Sequence, residues 1–128
     1  MAAVKRIRPT KLELSILRVL WDAPRSVREV QTILNASRPT GYTTVLKMLQ
    51  IMTEKGLVER DESVRPQIYR ARSSQEQTQR QLLRDLVDRA YGGSVKALVM
   101  QALGGSKVSP QALDAVEKLL DGIEGGKR

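Results

Sequence analysis

Residues 40 to 58 read TGYTTVLKMLQIMTEKGLV, and this stretch carries two side-chain patterns at once. An apolar strip recurs at i, i+3, i+4 and i+7, the spacing that an amphipathic helix turns toward a core: Val45, Met48, Leu49 and Met52. Polar side chains fall on the opposite side: Thr43, Lys47 and Gln50. Because a DNA-reading helix needs outward hydrogen-bonding groups, the stretch is a candidate recognition helix, with an ordinary solvated surface helix as the alternative.

Chemical signals mark both ends of this helix. Thr40 can accept hydrogen bonds from the first free backbone N–H groups, which predicts a start near Thr40 or Gly41. Gly56 stands where a left-handed residue would end the helix, and Lys55 complements the negative end of the helix dipole. If the N-terminus faces a polyanion, its N–H groups favour phosphate there.

Two helices are predicted before this stretch, each opened by a capping box. Thr10 and Glu13 form the first box, and Ser26 and Glu29 the second. The first helix carries an apolar face and ends at Asp22-Ala23-Pro24, and the second runs to about residue 36; their apolar residues are Ile16, Leu17, Leu20, Trp21, Val27, Val30, Ile33 and Leu34. Three helices with short links, the third polar outside, have the order of a helix-turn-helix module.

After Gly56 the pattern changes to two short β-type runs, residues 57–60 and 67–71. They predict a hairpin whose tip spans about Asp61 to Pro66 and contains Arg65, with Arg70 on the returning strand. Tyr69 shares a face with residue 71, and the pattern leaves open which face is inward. Since a lone hairpin is marginal, we expect it to pack on the helices.

The last part of the chain predicts three one-sided helices. A third capping box begins at Ser73, Ser94 can cap the next helix, and Ser109-Pro110 opens the last. Three such helices make a poor core alone, which favours burial against a second copy in a symmetric dimer. The predicted dimerisation residues are Leu82, Leu83, Leu86, Val87, Leu98, Val99, Leu113, Val116, Leu119 and Leu120.

The net charge of +8 is unevenly distributed along the 128 residues. Residues 1–73 contain 14 Lys/Arg and 7 Asp/Glu, whereas residues 74–128 contain 8 and 7. This asymmetry suggests a polyanion-binding module joined to a nearly neutral one, although basic charge also fits RNA, anionic lipid or solubility alone.

Several function classes are disfavoured by composition. The chain has no Cys and no His, which excludes disulfides, thiolate and imidazole metal sites and Ser-His-Asp triads. Its carboxylates are scattered beside Lys or Arg, so we expect no enzyme, cofactor or metal. Aromatic residues are 3%, which disfavours RNA stacking platforms. No apolar run approaches about 20 residues and no signal-peptide pattern is present, so we expect a soluble cytoplasmic protein.

With this order of elements laid out, the chain resembles the penicillinase-repressor (BlaI/MecI/CopY) family of winged-helix transcription repressors. The carrying motifs span nearly the whole chain: Leu14–Trp21, Ser26–Val30, Tyr42–Val45, Glu54–Val58 and Tyr69–Ala71. The resemblance implies a mostly α fold with a small β-hairpin. Residues 1–73 would form an N-terminal winged helix-turn-helix that enters the major groove, and residues 74–128 a C-terminal helical dimerisation region.

Carried over by position, the family's base-reading segment falls on Thr43, Thr44 and Lys47. The implied backbone or wing contacts are Arg38, Tyr42, Arg65 and Arg70. Three alternatives stay open: Thr44 could flank the core, Arg65 could be a solvated loop arginine, and Leu46 could touch a thymine methyl or pack against the wing. The implied function is a repressor that binds a palindromic operator in double-stranded DNA as a homodimer and blocks promoter access. A winged-helix protein-interaction adaptor is the alternative.

Two family features are missing. Relatives that respond to β-lactams are cut by a membrane sensor-protease at an Asn-Phe bond, but this chain has no Phe and its single Asn is Asn35. Copper-responsive relatives carry a Cys-rich motif that a chain without Cys cannot form. The operator, the regulated genes and the inducing signal therefore stay open, and a sensor-protease is one possible partner.

Overall fold

The computed structural model of the chain describes residues 8–104 and 109–125, with side chains described as far as residue 118. Within these residues, six helices and one two-stranded antiparallel hairpin follow one another. In chain order they are α1 Lys11–Asp22, α2 Val27–Asn35, α3 Tyr42–Lys55, β1 Val58–Asp61, β2 Ile68–Ala71, α4 Gln75–Ala90, α5 Val95–Ala102 and α6 Pro110–Gly125. The predicted mostly helical fold with a small hairpin is confirmed.

Helices α1 and α2 begin at the two predicted capping boxes. The Glu13 N–H donates to the Thr10 hydroxyl over 3.2 Å, and Glu13 Oε1 accepts from the Thr10 N–H over 2.8 Å. Ser26 and Glu29 form the same reciprocal pair at the same distances, 3.2 and 2.8 Å. Each box satisfies backbone N–H groups that a helix start leaves free, and losing an N-cap typically costs about 0.5–2 kcal/mol.

Helix α3 begins and ends near the predicted residues, but without the predicted side-chain cap. Gly56 is left-handed, with φ of 80°, and ends the helix. At the start, Gly41 occupies the N-cap position, and no side chain in the described part of the protein caps the helix. The predicted Thr40 cap is wrong, because the Thr40 hydroxyl donates to the Arg38 carbonyl over 3.1 Å. The first N–H groups of α3 therefore remain available to an external acceptor.

The apolar strip of α3 packs into one core with α1, α2 and the hairpin. Val45, Leu49 and Met52 are each 0% exposed, while Met48 is half-buried. Ile33 of α2, predicted on the apolar face, is 38% exposed. The other core residues are Ile16, Leu17, Leu20, Val27, Val30, Leu34, Val58 and Tyr69. Since each buried aliphatic side chain contributes about 1.5–3 kcal/mol, this packing sets which side of α3 faces outward.

The hairpin is attached to the helices through Tyr69. Val58 lies opposite Ala71, Asp61 lies opposite Ile68, and Tyr69 is 1% exposed, so the Tyr69 face is the inward one. Sequence reasoning missed a further contact: the backbone of Arg25, between α1 and α2, exchanges two hydrogen bonds with Tyr69 over 3.0 and 2.8 Å. This bridge secures a hairpin that would be marginal alone.

The later helices are also capped by serines. The hydroxyls of Ser94 and Ser109 accept from the N–H groups three residues on, over 3.0 and 3.1 Å, as predicted for α5 and α6. The capping box of α4 lies one residue later than predicted, because the Gln77 side chain bonds the Ser74 N–H over 3.0 Å. Helix boundaries inferred from Ser-rich stretches can shift in this way, since either serine can act as the cap.

The chain divides into two compact units between Thr78 and Gln79. Within the second unit, Lys96 of α5 lies 3.6 Å from Asp114 and 3.9 Å from Glu117 of α6. Among the described residues, no helix combines the length and the apolarity needed to cross a membrane.

The predicted dimerisation residues differ in exposure. Leu86 is 45% and Val116 is 38% exposed, whereas Val87 is 0% exposed and already buried within the chain. Others are half-buried: Leu82, Leu83, Leu98, Val99 and Leu113. The side chains of Leu119 and Leu120 lie outside those that the structure describes.

Candidate nucleic-acid interface

The first two turns of α3 present the three predicted base-reading side chains. Thr43, Thr44 and Lys47 are all exposed, while Val45 and Leu49 are 0% exposed on the other side of the helix. The uncapped N–H groups of the same helix start add a positive dipole end. This end of α3 therefore combines hydrogen-bonding side chains with a local preference for anions.

Two polar side chains from α2 hold the start of α3 in place. Asn35 Oδ1 accepts from the Thr40 N–H over 2.7 Å, and the Gln31 amide donates to the Thr40 carbonyl over 3.3 Å. Arg38 is exposed in the turn between the two helices. Sequence reasoning missed these positioning residues, although an Asn at a helix C-terminus before Pro39 is a usual turn signal.

Arg28 is a functional candidate that sequence reasoning also missed. Its guanidinium carbon lies 4.8 Å from the centroid of the Tyr42 ring, within the range of a cation–π contact. Arg28 is exposed on the first turn of α2, and Tyr42 is 39% exposed on the first turn of α3. The contact therefore places a positive charge beside the start of α3.

A cleft of about 250 Å³ separates these two helix starts from the hairpin. Arg28 and Tyr42 line one side, and Arg65 and Gln67 line the other. Leu46 lines the cleft while packing against the hydrophobic core, a position that fits the packing alternative for this residue. Among the described residues, neither Arg28 nor Arg65 forms an ion pair, so two unneutralised guanidinium groups face one opening.

The tip of the hairpin is organised by hydrogen bonds. Asp61 Oδ1 accepts from the N–H of Ser63 over 2.9 Å and from its hydroxyl over 2.6 Å. These bonds hold the pKa of Asp61 below its ordinary value. The Arg65 guanidinium donates to the carbonyls of Glu62 and Val64 over 3.1 and 3.4 Å.

Other arginines of the hairpin are paired with carboxylates. Arg60 lies 2.6 Å from Glu62. Hydrogen bonds with Tyr69, the larger cause, and with Glu62 raise the pKa of Arg60 above its ordinary value. Arg70 lies 3.9 Å from Asp61, and a similar pair at 3.9 Å joins Arg72 and Glu59. Arg70, which the resemblance implied as a backbone contact, is therefore partly neutralised.

The far end of α3 is tied to α1 by a buried ion pair. Lys55 Nζ lies 2.7 Å from Glu13 Oε2, and Glu13 is 1% exposed. Burial raises the pKa of Glu13, but the Lys55 ammonium and the Thr10 N–H more than offset this, so its pKa lies below the ordinary value. Lys55 therefore lies at the end of α3, where it was predicted to complement the helix dipole, and also pairs with a carboxylate of another helix.

Comparison with known proteins shows the family of this chain. A family model described as Penicillinase repressor matches residues 9–122. The chain belongs to the penicillinase repressor family. "Transcriptional regulator BlaI" of Mycobacterium tuberculosis, in strains CDC 1551 / Oshkosh and ATCC 25618 / H37Rv, is 29% identical over 118 residues, which cover 90% of this chain and 84% of the relative. The family is one of transcriptional regulators rather than enzymes.

Among solved structures, a point mutant of ZitR from Lactococcus lactis is similar to the chain, with 13% identity and a TM-score of 0.46. The alignment covers 100% of this chain and 82% of ZitR.

In this member of the penicillinase repressor family, the fold gathers some of the predicted contact residues and separates others. Tyr42 and Arg65 line the same cleft, and Thr43, Thr44 and Lys47 lie on α3 beside it. Arg38 lies in the turn before α3. Arg70 lies on β2, on the strand face opposite to that of Tyr69. The individual contact roles of these residues stay predictions.

Proposed function

We propose that the chain represses transcription by binding a palindromic operator in double-stranded DNA as a homodimer, which blocks promoter access. The observation that carries this proposal is the exposed set Thr43, Thr44 and Lys47 at the uncapped start of α3, beside a cleft lined by two arginines that have no carboxylate partner among the described residues. Such a helix end can enter the major groove, where Thr and Lys side chains hydrogen-bond base edges.

Phosphate contacts would come from the groups around the same helix start. Arg28, Tyr42 and Arg65 line the cleft, and Arg38 is exposed in the adjacent turn. Each phosphate neutralised by one of these arginines should contribute about −0.9 to the slope of log affinity against log salt. Family membership supports this use of the cleft, since the family consists of transcriptional regulators.

A mobility-shift assay on DNA from the chain's own upstream region tests the proposal. We expect a shift that survives excess random-sequence competitor, with footprints on two half-sites about 10 bp apart or a multiple of that distance. Absence of any shift at low salt would refute the proposal and leave a protein-interaction adaptor as the function that the fold supports.

Replacing Arg28 by alanine should weaken binding to operator and to random DNA by similar factors, about 3- to 10-fold, because a phosphate contact carries no sequence information. The salt slope should become less steep by about 1. Fluorescence anisotropy with labelled duplexes across a salt series measures both quantities.

Arg18 provides the matched control, since it is exposed on α1 of the same unit and lines no part of the cleft. Arg18→Ala removes the same charge. It should leave the affinities for operator and for random DNA within about twofold of the wild-type values, because salt screens a charge that lies outside the contact surface. If the two variants weaken binding equally, Arg28 has no particular contact role.

We propose that the homodimer forms through the exposed apolar side chains of α4, α5 and α6. Leu86→Lys should convert the dimer to monomer in sedimentation velocity at micromolar concentration, because a charge would be buried in an apolar interface. Leu86 is 45% exposed, so the variant has room in the monomer. Gln81→Lys, at an exposed position of the same helix, should remain dimeric. If neither variant dissociates, the dimer interface lies elsewhere.

Any proteolytic induction of this chain would need a bond other than Asn-Phe, because the chain contains no Phe. Where a gene for a membrane sensor-protease adjoins the gene of this chain, we propose that protease as the partner. Co-expression of the two, followed by mass spectrometry of the fragments, would identify the bond; an intact chain would point to a different signal.

A further inference from the structure

The two faces of the hairpin differ in how their charges are arranged. In the antiparallel register, Val58, Arg60, Tyr69 and Ala71 share the inward face, because directly opposite residues lie on the same side and faces alternate along a strand. Glu59 and Asp61 therefore share the outer face with Arg70. Arg72 follows on the same side, 3.9 Å from Glu59.

This outer face is electrically balanced. Glu59 lies directly opposite Arg70 in the strand register, and Asp61 lies 3.9 Å from the Arg70 guanidinium. Two carboxylates thus accompany two guanidinium groups, whereas among the described residues Arg28 and Arg65 at the cleft have no carboxylate partner. Residues 1–73 as a whole carry seven more basic than acidic side chains. The equal numbers of positive and negative charges on the outer face of the hairpin therefore differ from the basic excess of this part of the chain.

The two ion pairs of this face contribute little to stability, although Asp61 also accepts the hydrogen bonds from Ser63 at the hairpin tip. The Arg70 and Asp61 side chains are 54% and 34% exposed, and those of Arg72 and Glu59 are 61% and 56% exposed. Ion pairs of this kind at 3.9 Å are screened by water and salt and typically contribute little to folding. Neutral replacements should therefore leave the hairpin folded while exposing two free arginines.

We infer that Glu59 and Asp61 are specificity-determining residues: they neutralise the outer face of the hairpin, so that DNA binds through the cleft and the start of α3. This inference rests on the proposed DNA-binding function. Non-specific DNA binding is almost wholly electrostatic, and a face with free Arg70 and Arg72 would offer competing phosphate contacts in an orientation where α3 reads no bases. The two carboxylates thereby favour the base-reading orientation over others.

Glu59→Gln tests this inference by anisotropy with two duplexes of equal length, one from the shifted upstream region and one of random sequence. At low salt we expect binding to random DNA to tighten about 3- to 10-fold and its salt slope to steepen by about 1, while operator affinity changes by less than about twofold. Adding Asp61→Asn, which keeps an acceptor for the Ser63 N–H, should tighten random binding further. Adding Arg72→Gln to Glu59→Gln should reverse part of the gain.

Glu54→Gln is the matched control, since Glu54 is an exposed carboxylate of the same unit located near the end of α3. It should leave the ratio of operator to random affinity unchanged. Equal tightening on both duplexes, an equal effect of Glu54→Gln, or no effect of Glu59→Gln would overturn the inference while the proposed function stands. If the wild-type chain binds neither duplex, the proposed function falls and takes this inference with it.

Discussion

Replacing Lys47 by alanine is expected to weaken operator binding by about 10- to 100-fold while random-sequence DNA loses much less. Lys47 is exposed on the second turn of α3, on the side opposite the buried Val45 and Leu49. A lysine hydrogen-bonded to a base edge contributes about 1–3 kcal/mol of discrimination, whereas a lysine on a phosphate weakens all sequences alike. Anisotropy titrations against operator variants should show relaxed preference at one base pair of each half-site.

Lys11→Ala provides a control with the same change of charge and side chain. Lys11 is exposed at the start of α1, and α1 is joined near that start to the opposite end of α3 by the contact between Glu13 and Lys55. Because α3 has 14 residues, its two ends lie about 20 Å apart at 1.5 Å per residue. An equal loss on operator and random DNA for Lys47→Ala would remove Lys47 from the base-reading set.

Glu13→Gln is expected to lower the free energy of unfolding by about 1–3 kcal/mol at pH 7, because it removes a charge-assisted hydrogen bond and leaves the Lys55 ammonium without its partner. Glu13 is 1% exposed, and its carboxylate joins the start of α1 to the end of α3. The glutamine keeps an acceptor for the Thr10 N–H, so the change isolates the charge. Urea unfolding followed by circular dichroism measures the loss.

The same variant should respond differently to acid. The folded-state pKa of Glu13 lies below its ordinary value, so its contribution to stability is fully present above the unfolded pKa of about 4.3 and is lost as pH falls through the folded pKa. The stability difference between wild type and Glu13→Gln should therefore shrink as the pH is lowered from about 6 to about 3. A difference that stays constant over this range would contradict a charged Glu13.

Glu29→Gln is the matched control for this experiment. Glu29 holds the equivalent position in the second capping box, but it is exposed and, among the described residues, has no lysine partner. Its replacement should cost less than about 0.5 kcal/mol, the usual range for surface substitutions, and should show little dependence on pH.

Local signals account for the parts of the fold that could be predicted. The boxes at Thr10 and Ser26 and the left-handed Gly56 are set by residues within one helical turn, so they can be recognised without tertiary contacts. Thr40 failed as a cap because its hydroxyl bonds within the preceding turn. Short-range alternatives of this kind compete closely, which makes the first residue of a helix the least predictable part of it.

The candidate site could be predicted only where it lies on one helix. Thr43 and Lys47 follow from the period of α3, which also fixes the buried position of Val45 and Leu49. Arg28 escaped prediction because its neighbour Tyr42 belongs to another helix. The roles of Asn35 and Gln31 depend on how the chain turns between the two helices.

The sequence by itself determined the order of helices and hairpin, the outward side of α3 and the basic balance of residues 1–73, because periodicity, capping and charge are properties of neighbouring residues. Tertiary structure alone decided which of the described arginines pair with carboxylates, where Leu46 packs and what holds Tyr69. Those outcomes join residues far apart in the chain, as Glu13 and Lys55 are joined across 42 positions. Such contacts depend on the packed core, which brings together segments that lie far apart in the chain.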